Sequence, residues 1–568
     1  MVTYHTVFHP KTFVSRGLQL PIAPYRDLGE LGVSTDADPY NNKFSQFTFA
    51  SNARFEDKRI QRGPVFSISG TLAANTSPRY VMSYKQLTGS AQYHIANRDG
   101  TVTNWSALGT GGASTETDIT AAGWTPANYD APYTGCILND IVYLNRVDRA
   151  PWFKAKNGAS FAALTNWPSN YRAGAFREVG GVLVALNITQ SGVSYPTMVM
   201  TSDYMLFGTV PGTWTPSTSN SATYQVIADL SEPLIDGVNL RDRLILYTEN
   251  ETWSMEPRYD ALMFNYRRLF DNSGIINQNC AASYNNIHYV FGSQDIWQHD
   301  GFQRKSIAAG RVRDFIFQNM DKTQSSLFFT VHNPRLSEVM FCYVSKDSYC
   351  AFPPTTTLTG CNRAAVYNYR ADTWYFYDLP YVVSSGLGVP FTGASYTTET
   401  GIAYSSLAGS YSSFGDSTKF SLMFVSPPAT GTYGTLSCAV RSFDKAGATA
   451  NNGLLDPPAN APVYIENTGI DLDDLHAELR GYKVVKAIYP EGRFDPGAQP
   501  MTFTFLSRDY PNSQTYVTLP SQTFDGSTAY KLDFRASGRY LDMQITYNDV
   551  KNFSFMGFDF DFAQIGHR

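Results

Sequence analysis

Two carboxylates near the C-terminus, Asp559 and Asp561, are the residues of this chain best placed for acid–base chemistry. They stand two positions apart in Gly557-Phe-Asp-Phe-Asp-Phe562, so a β-strand would place both on one face. A pair of carboxylates can serve as acid and base in glycoside hydrolysis. Carboxylates side by side on one strand are more often a solvated surface, and we predict that role rather than catalysis here.

Other motifs for catalysis or metal binding are incomplete. Asp471, Asp473 and Asp474 resemble the start of a calcium loop, but the required glycine and the closing glutamate are missing. There is no G-x-S-x-G, P-loop or H-E-x-x-H motif, and the six cysteines form no C-x-x-C pair. The sequence therefore predicts free, mostly buried thiols, no catalytic or metal-binding residue, no cofactor and no enzyme.

The elements that would position these residues are predicted to be strands. Aromatic residues make up 14% of the 568 residues, with 37 Tyr and 37 Phe, whereas charged residues make up only 16%. Aromatic and β-branched side chains suit pleated surfaces, and Gly, Pro, Asn and Ser suit the turns between short strands. The composition predicts an all-β chain, and the length of 568 residues predicts two to four domains.

Charge and hydropathy exclude some classes of protein. The formal net charge of −5 disfavours tight binding of nucleic acid, which normally requires an excess of Lys and Arg. The N-terminus has no basic region followed by an apolar run, and no window reaches the ~18 apolar residues of a membrane span. We expect synthesis in a reducing cytoplasm and no membrane span.

A hairpin repeat ending in tryptophan runs through the middle of the chain. Each copy has a polar residue, an apolar strand, a polar turn and then Trp, and the copies are Asp140–Trp152, Asp242–Trp253, Asn286–Trp297 and Arg363–Trp374. Trp105 and Trp152 are 47 residues apart, and Trp253 and Trp297 are 44 apart. The interval from Trp152 to Trp253 is 101 residues, which leaves room for a copy without Trp at Val179–Asn187 and Pro196–Met200.

Hairpin units of about 40–50 residues are typical of β-propeller blades. Large flat side chains can fill the wedge between neighbouring blades. We therefore predict that Trp152, Trp253, Trp297 and Trp374 are blade-packing residues, with sugar stacking as the alternative.

Three regions follow from these patterns. Residues 1–75 are expected to form an extended arm with one or two strands, and residues 76–453 a β-propeller with long loops. After the proline-rich linker that begins at Leu454, residues 454–568 are expected to form a C-terminal β-sandwich with a short helix at 469–480.

The run Leu234–Trp253 (LIDGVNLRDRLILYTENETW) resembles the central signature of podovirus tail proteins, the tail nozzle or packaged-DNA stabilisation proteins. Its continuation at Phe264–Phe270 and Tyr289–Trp297 is similar to the same family. The motifs Ala53–Asp57 and Gly538–Tyr540 resemble the strands at the two ends of such proteins. Nothing in 320–460 resembles the family.

The resemblance implies a structural virion protein of a short-tailed phage. Such a protein would form the tail tube or nozzle, close the DNA channel, retain the packaged genome and conduct DNA during ejection. The implied partners are other copies of the chain in a homohexamer ring, portal-adaptor proteins, and tail fibres or a needle. The location implied is the virion tail, after assembly in the host bacterial cytoplasm.

A channel that lets duplex DNA pass should not be lined by Lys and Arg, because duplex DNA carries one negative charge per roughly 1.7 Å of its axis. Asp542, Asp549, Asp559 and Asp561 are the candidates for an acidic lining. The alternative functions are a glycan-binding or polysaccharide-degrading propeller tail protein and a cellular scaffold propeller.

Overall fold

The computed structural model shows a chain built almost entirely from β-strands, which confirms the all-β prediction. It describes residues 22–566 apart from 74–76, 86–90, 107–114, 128–129, 156–157, 259–262, 355–359, 389–420, 428, 432–433, 437–438, 444–460, 471–480, 511–512, 514 and 527–528. Residues 471–480 of the helix predicted at 469–480 and the first part of the predicted arm lie outside the described residues.

Most of the described strands fall into seven antiparallel groups of four, and we call them sheets 1–7. Sheet 1 contains β8 (Pro78–Lys85), β9 (Ala91–Asn97), β10 (Val102–Ser106) and β11 (Thr115–Asp118). Sheet 2 contains β12 (Tyr133–Leu138), β13 (Ile141–Arg146), β14 (Trp152–Lys154) and β15 (Ala162–Ala163). Sheet 3 contains β16 (Tyr171–Val179), β17 (Val182–Gln190), β18 (Val193–Thr201) and β19 (Thr223–Val226).

The next three sheets continue the same order along the chain. Sheet 4 contains β20 (Asp236–Leu240), β21 (Arg243–Tyr247), β22 (Glu251–Pro257) and β23 (Phe264–Asp271). Sheet 5 contains β24 (Ala281–Tyr284), β25 (Ile287–Phe291), β26 (Ile296–His299) and β27 (Arg304–Ser306). Sheet 6 contains β28 (Phe329–Asn333), β29 (Glu338–Tyr343), β30 (Cys361–Asn368) and β31 (Thr373–Val382).

Sheet 7 joins strands from two distant parts of the chain. It contains β32 (Ser384–Gly388), β33 (Ser421–Ser426), β36 (Ala439–Ser442) and β7 (Ser67–Thr71). A short hairpin, β34 (Ala429–Gly431) and β35 (Gly434–Leu436), lies between β33 and β36 along the chain. The predicted boundary at residue 75 placed β7 outside the repeat, but β7 pairs with β36 as the fourth strand of sheet 7.

The turn between the first two strands of a sheet is short where its residues tolerate a positive φ. Asn139 and Asp140 join β12 to β13 with φ of 53° and 65°, and Gly180 and Gly181 join β16 to β17 with φ of 56° and 87°. Two consecutive residues with positive φ match a hairpin turn whose twist suits the flanking strands. In these two hairpins the local turn residues match the observed register.

The remaining strands form two sheets that combine the N-terminal and C-terminal parts of the chain. A six-stranded sheet contains β1 (Ile22–Arg26), β5 (Ala53–Glu56), β6 (Arg59–Arg62), β38 (Tyr482–Phe494), β42 (Leu532–Gly538) and β44 (Phe553–Gly566). A ten-stranded sheet extends sheet 6 through β4 (Phe49–Ser51), β37 (Val463–Asn467), β43 (Tyr540–Tyr547), β39 (Met501–Arg508), β40 (Val517–Thr518) and β41 (Gln522–Phe524).

These two sheets face each other through aromatic side chains. The ring of Phe503 on β39 lies 6.3 Å from Phe555 and 5.8 Å from Phe558 on β44. Asp559 and Asp561 point away from this core, as the alternation in the sequence predicted. The predicted N-terminal region is not separate, because β1, β5 and β6 complete the six-stranded sheet and β4 lies inside the ten-stranded one.

Short helices and one small parallel pair complete the fold. The strands are β2 (Gly32–Val33) and β3 (Gln46–Phe47), the α-helix is α1 (Arg313–Asn319), and the 3-10 helices are Pro39–Asn41 and Lys322–Leu327. No helix in the described part of the chain is long and apolar enough to cross a membrane.

A buried ionic cluster locks the N-terminal strands to sheet 6. Glu338 on β29 accepts hydrogen bonds at one carboxylate oxygen from Arg54 at 2.7 Å, Tyr375 at 2.7 Å and Tyr377 at 3.0 Å. Arg54 also bonds to Glu56 at 2.6 Å. Since Glu338 is fully buried, its charge depends on these partners.

Candidate functional site

The first strands of all seven sheets line one cavity of about 520 Å³. Cavities of 300–1,000 Å³ are the usual size for small-molecule sites. One lining residue from each strand is Tyr80 (β8), Cys136 (β12), Arg177 (β16), Asp236 (β20), Ala281 (β24), Thr330 (β28) and Ser384 (β32). This central cavity is the candidate site, and the sequence analysis did not predict any of its residues.

Arg177 is the hub of the cavity wall. Its guanidinium donates to both oxygens of Asp236, with Nε to Oδ1 at 2.8 Å and Nη2 to Oδ2 at 2.7 Å. It also donates to the Gly135 carbonyl at 2.8 Å and to Asn279 Oδ1 at 2.9 Å. Burial alone would lower the pKa of Arg177, but Asp236 outweighs that effect and the pKa is raised. One side chain on sheet 3 thus joins sheets 2, 4 and 5.

Glu178, the next residue on β16, has a different environment. Asn239 Nδ2 donates to its Oε1 at 2.6 Å, and none of the described Lys, Arg or His side chains lies within ion-pair distance of it. Burial raises the pKa of Glu178, although the bond from Asn239 acts in the opposite direction. The cavity therefore contains one carboxyl group without a cationic partner beside one neutralised Arg–Asp pair.

The cavity does not assemble a nucleophile with a base. Burial raises the pKa of the Cys136 thiol in spite of nearby Arg177, so the group stays protonated and is a weak nucleophile. The five cysteines within the described residues are free, as predicted. Among the same residues there is no group of three or more His, Cys, Asp or Glu side chains that could hold a metal ion.

The four predicted blade-packing tryptophans are buried, and each shares a hydrophobic cluster or a direct contact with residues of the preceding sheet or of the segment just after it. Trp152 clusters with Met82 of sheet 1, and Trp253 with Leu186 of sheet 3. The ring of Trp297 lies 6.3 Å from Tyr247 of sheet 4, and Trp374 Nε1 donates to the Ile307 carbonyl just after β27 at 2.9 Å.

The positions of the tryptophans within the sheets are not all equivalent. Trp152, Trp253 and Trp297 lie on the third strand of their sheets, whereas Trp374 lies on the fourth strand of sheet 6. This shift, together with the helices between β27 and β28, accounts for the interval of 77 residues between Trp297 and Trp374. The copy expected without Trp is the β17–β18 hairpin, where Val199 takes the place opposite Leu186.

We expect Trp253→Phe to reduce the free energy of unfolding by about 1–2 kcal/mol, less than the 3–5 kcal/mol typical of truncating a buried aromatic to Ala. The smaller ring leaves space between sheets 3 and 4 and removes the hydrogen bond from Nε1 to Glu251 at 2.8 Å. The urea unfolding midpoint measures the loss. Tyr204→Phe, a change on a half-exposed ring, is the control, and an equal shift in both variants would contradict the packing role.

The four predicted lumen carboxylates separate into two groups. Asp542 is fully buried, with Arg508 Nε at 2.7 Å and the Gly469 N–H donating at 2.8 Å, so its predicted exposure to a lumen is wrong. The Asp549 carboxylate is engaged within the protein, because it accepts hydrogen bonds from the backbone N–H groups of Gln499 and Val550.

Asp559 and Asp561 keep part of their surface exposed on the six-stranded sheet. Asp559 pairs with Arg26 at 2.6 Å, and Asp561 lies 4.0 Å from Lys486. Each carboxylate thus has a neighbouring cation, and the two do not face each other across a cleft as an acid–base pair would.

A hydrogen-bonded network of two histidines and one tyrosine is buried between sheets 4 and 5. The Tyr247 hydroxyl lies 2.7 Å from His288 Nδ1 and 2.7 Å from His299 Nε2. The Gly301 N–H donates to His299 Nδ1 at 3.1 Å, so Nε2 of His299 carries the proton and donates to Tyr247. Tyr247 then donates to His288 Nδ1, and His288 Nε2 donates to the Asn239 carbonyl at 2.9 Å. Both rings are neutral in this arrangement.

From this hydrogen-bonded network of neutral, buried histidines we predict that the protein loses stability in mild acid. Burial lowers the pKa of His288 to about 4 and of His299 to about 3, whereas both take up protons near 6.5 in the unfolded chain. Stability is therefore complete above pH 6.5 and falls as the pH decreases toward 4, by about 1.4 kcal/mol per pH unit for each ring.

The measurement is the urea midpoint between pH 4.5 and 7, compared with that of the His288→Gln/His299→Gln variant. The slope against pH should be smaller in the variant by roughly two protons. An unchanged slope would contradict the hydrogen-bonded network of neutral histidines.

No family model matches the chain, and no curated protein matches it.

Proposed function

We infer that the seven four-stranded sheets are the blades of a β-propeller. This inference is supported by the shared central cavity, to which every sheet contributes its first strand, and by tryptophans that contact the preceding sheet. Sheet 7 combines β7, which precedes sheet 1, with three strands that follow sheet 6, and such a combination would close a circle. By the same reasoning, the two sheets that meet at Phe503 and Phe558 are a β-sandwich.

We propose that the protein is a structural virion component of a short-tailed phage, in which it forms the tail tube or nozzle. In this role it closes the DNA channel, retains the packaged genome and conducts DNA during ejection. Its partners are further copies of itself in a homohexamer ring, portal-adaptor proteins, and tail fibres or a needle. It is assembled in the host bacterial cytoplasm and acts through shape rather than catalysis.

The observation that carries the proposal is the charge balance on the six-stranded sheet. The exposed and half-exposed charged side chains on β1, β38, β42 and β44 are Glu491, Asp533, Asp559 and Asp561 beside Arg26, Lys486, Arg493 and Arg535. Four carboxylates thus match four cations. A wall of this composition does not neutralise phosphates, so it releases no counterions and does not hold DNA.

The proposal predicts that the full-length protein does not retain duplex DNA, and that the variant Asp559→Asn/Asp561→Asn does. Each substitution keeps the size of the side chain and removes one negative charge, which leaves Arg26 with Glu491 alone and removes the carboxylate beside Lys486. Retention on a filter is measured between roughly 50 and 200 mM salt, where binding through phosphates weakens steeply. Binding by the variant should decrease steeply over this range.

Asp242→Asn/Glu249→Gln is the matched control, because it makes the same change in net charge on exposed residues of sheet 4. Equal DNA retention by both double variants would contradict a lumen role for β44. Strong retention by the unaltered protein would contradict the conduit itself. Hydrolysis of host polysaccharide by monomers would favour the alternative, a propeller that degrades glycans.

A further inference from the structure

The central cavity has a chemical bias that the proposed function does not use. It is lined by strands from all seven sheets, and its volume of about 520 Å³ is large enough for a small organic molecule. A second, narrower cavity of about 30 Å³ adjoins it, since Tyr80, Asn279, Phe329 and Ser384 line both. The polar groups that face the larger space determine which ligands it would accept.

The strongest donors of the cavity already have acceptors. The Arg177 guanidinium is committed to Asp236, Gly135 and Asn279, and the Tyr80 hydroxyl also hydrogen-bonds to it. The Asn279 side-chain amide donates to the Tyr133 carbonyl at 3.0 Å. An anionic ligand would therefore have to displace Asp236 from a buried bidentate ion pair.

Acceptors, in contrast, are left over. Asn239 uses its Nδ2 to hold Glu178, while its Oδ1 is buried without a hydrogen-bond partner. Thr330 Oγ1, on β28 in the same cavity lining, is also buried without a partner. Glu178 adds a carboxylate that no described cationic side chain approaches within ion-pair distance. A bound molecule that supplies both a positive charge and N–H donors would satisfy all three residues.

We propose that the central cavity is a binding site for a small organic cation, a primary ammonium compound whose N–H groups donate to Glu178 and to Asn239 Oδ1. A metal ion fits the same space less well, because Glu178 is the one carboxylate of the cavity not already paired with Arg177, and hard divalent cations take six or more oxygen ligands. The site does not depend on the proposed role in a phage tail.

Isothermal titration calorimetry of the full chain tests the site with four compounds of similar length: putrescine, 4-aminobutan-1-ol, butane-1,4-diol and succinate. The two amines are expected to bind, and the diol and the dicarboxylate are not. Calcium chloride is titrated in parallel. Binding of calcium without binding of either amine, or equal binding of the diol and the amines, would overturn the proposal.

Glu178→Gln is the decisive variant, because glutamine can still accept the hydrogen bond from Asn239 and loses only the charge. Affinity for 4-aminobutan-1-ol should fall about tenfold or more, as expected for loss of a charge-assisted hydrogen bond. Glu249→Gln, an exposed change on sheet 4, is the matched control and should bind as the unaltered protein does. Unchanged affinity in Glu178→Gln would overturn the assignment.

Thr330→Val gives a second test at another residue of the cavity lining. Valine keeps the shape of threonine and removes the unpartnered oxygen, so putrescine should bind about threefold more weakly, the effect of a modest neutral hydrogen bond. Circular dichroism of both variants verifies that they are folded. Loss of amine binding in Thr330→Val together with full binding in Glu178→Gln would contradict the proposed position of the ammonium group.

Discussion

Glu338→Ala is expected to destabilise the protein by about 3–5 kcal/mol, the usual cost of removing one partner of a buried ion pair. Glu338 is fully buried, and one of its oxygens receives Arg54, Tyr375 and Tyr377. Its removal leaves the Arg54 charge with Glu56 alone and two tyrosine hydroxyls without an acceptor. The shift of the urea unfolding midpoint measures the effect.

Two further variants distinguish the cost of an unpaired buried charge from the cost of lost contacts. Glu56→Gln, which removes the more exposed partner of Arg54, should cost only about 1 kcal/mol. Combining Arg54→Met with Glu338→Gln should recover part of the loss, because the one charge left without its partner is that of Glu56, which is partly exposed, and the glutamine oxygen still accepts from the tyrosines. A double variant as unstable as Glu338→Ala would contradict the explanation.

Asp236→Ala is expected to have an effect of similar size, about 3–5 kcal/mol, at the centre of the seven sheets. Asp236 is fully buried and holds the guanidinium of Arg177, and its Oδ2 also accepts from the Asn279 N–H at 2.8 Å. Without it, the Arg177 charge faces the cavity unpaired. The loss is measured as a urea midpoint by tryptophan fluorescence.

Glu178→Gln is the control for this prediction, since it alters the adjacent carboxyl in the same cavity. It should change the free energy of unfolding little, because removal of the Glu178 charge leaves no cation unpaired and burial already disfavours the charged form. Equal destabilisation by Asp236→Ala and Glu178→Gln would show that any polar change in the cavity has the same cost. The special role of the Arg177–Asp236 pair would then be wrong.

Local patterns in the sequence identified much of the fold. Strand-forming composition predicted an all-β chain, and the interval between tryptophans located the hairpins of sheets 2, 4 and 5. The alternation of Phe and Asp around residue 560 predicted which side chains of β44 face the core. Each hairpin copy and the Phe/Asp alternation lies within about a dozen residues, where periodicity is informative.

Pairings between distant residues could not be read in the same way. Ser51 on β4 pairs with Phe376 and Tyr464, and β7 pairs with β36 almost 370 residues later. No local period encodes such a partner. The predicted boundary at residue 75 failed for this reason, because strands from this region complete sheets whose other members come much later in the chain.

The candidate site was invisible to motif searching for a related reason. Arg177 and Asp236 belong to different sheets and match no catalytic pattern, so their pairing appears only when the first strands converge. A signal was nevertheless present in the sequence. Charged residues interrupt two apolar strands, at Arg177–Glu178 between Phe176 and Val179 and at Asp236 after Ile235, and such residues within buried strands require partners.

Imaging of the purified full-length protein by electron microscopy, with its mass in solution measured in parallel, tests the central claim most directly. The account predicts rings of six copies around an open lumen. In each copy sheets 1–7 lie at the periphery, and the six-stranded sheet that contains β44 faces the lumen. Folded monomers at all concentrations, or rings whose lumen is lined by sheets 1–7 instead, would contradict it.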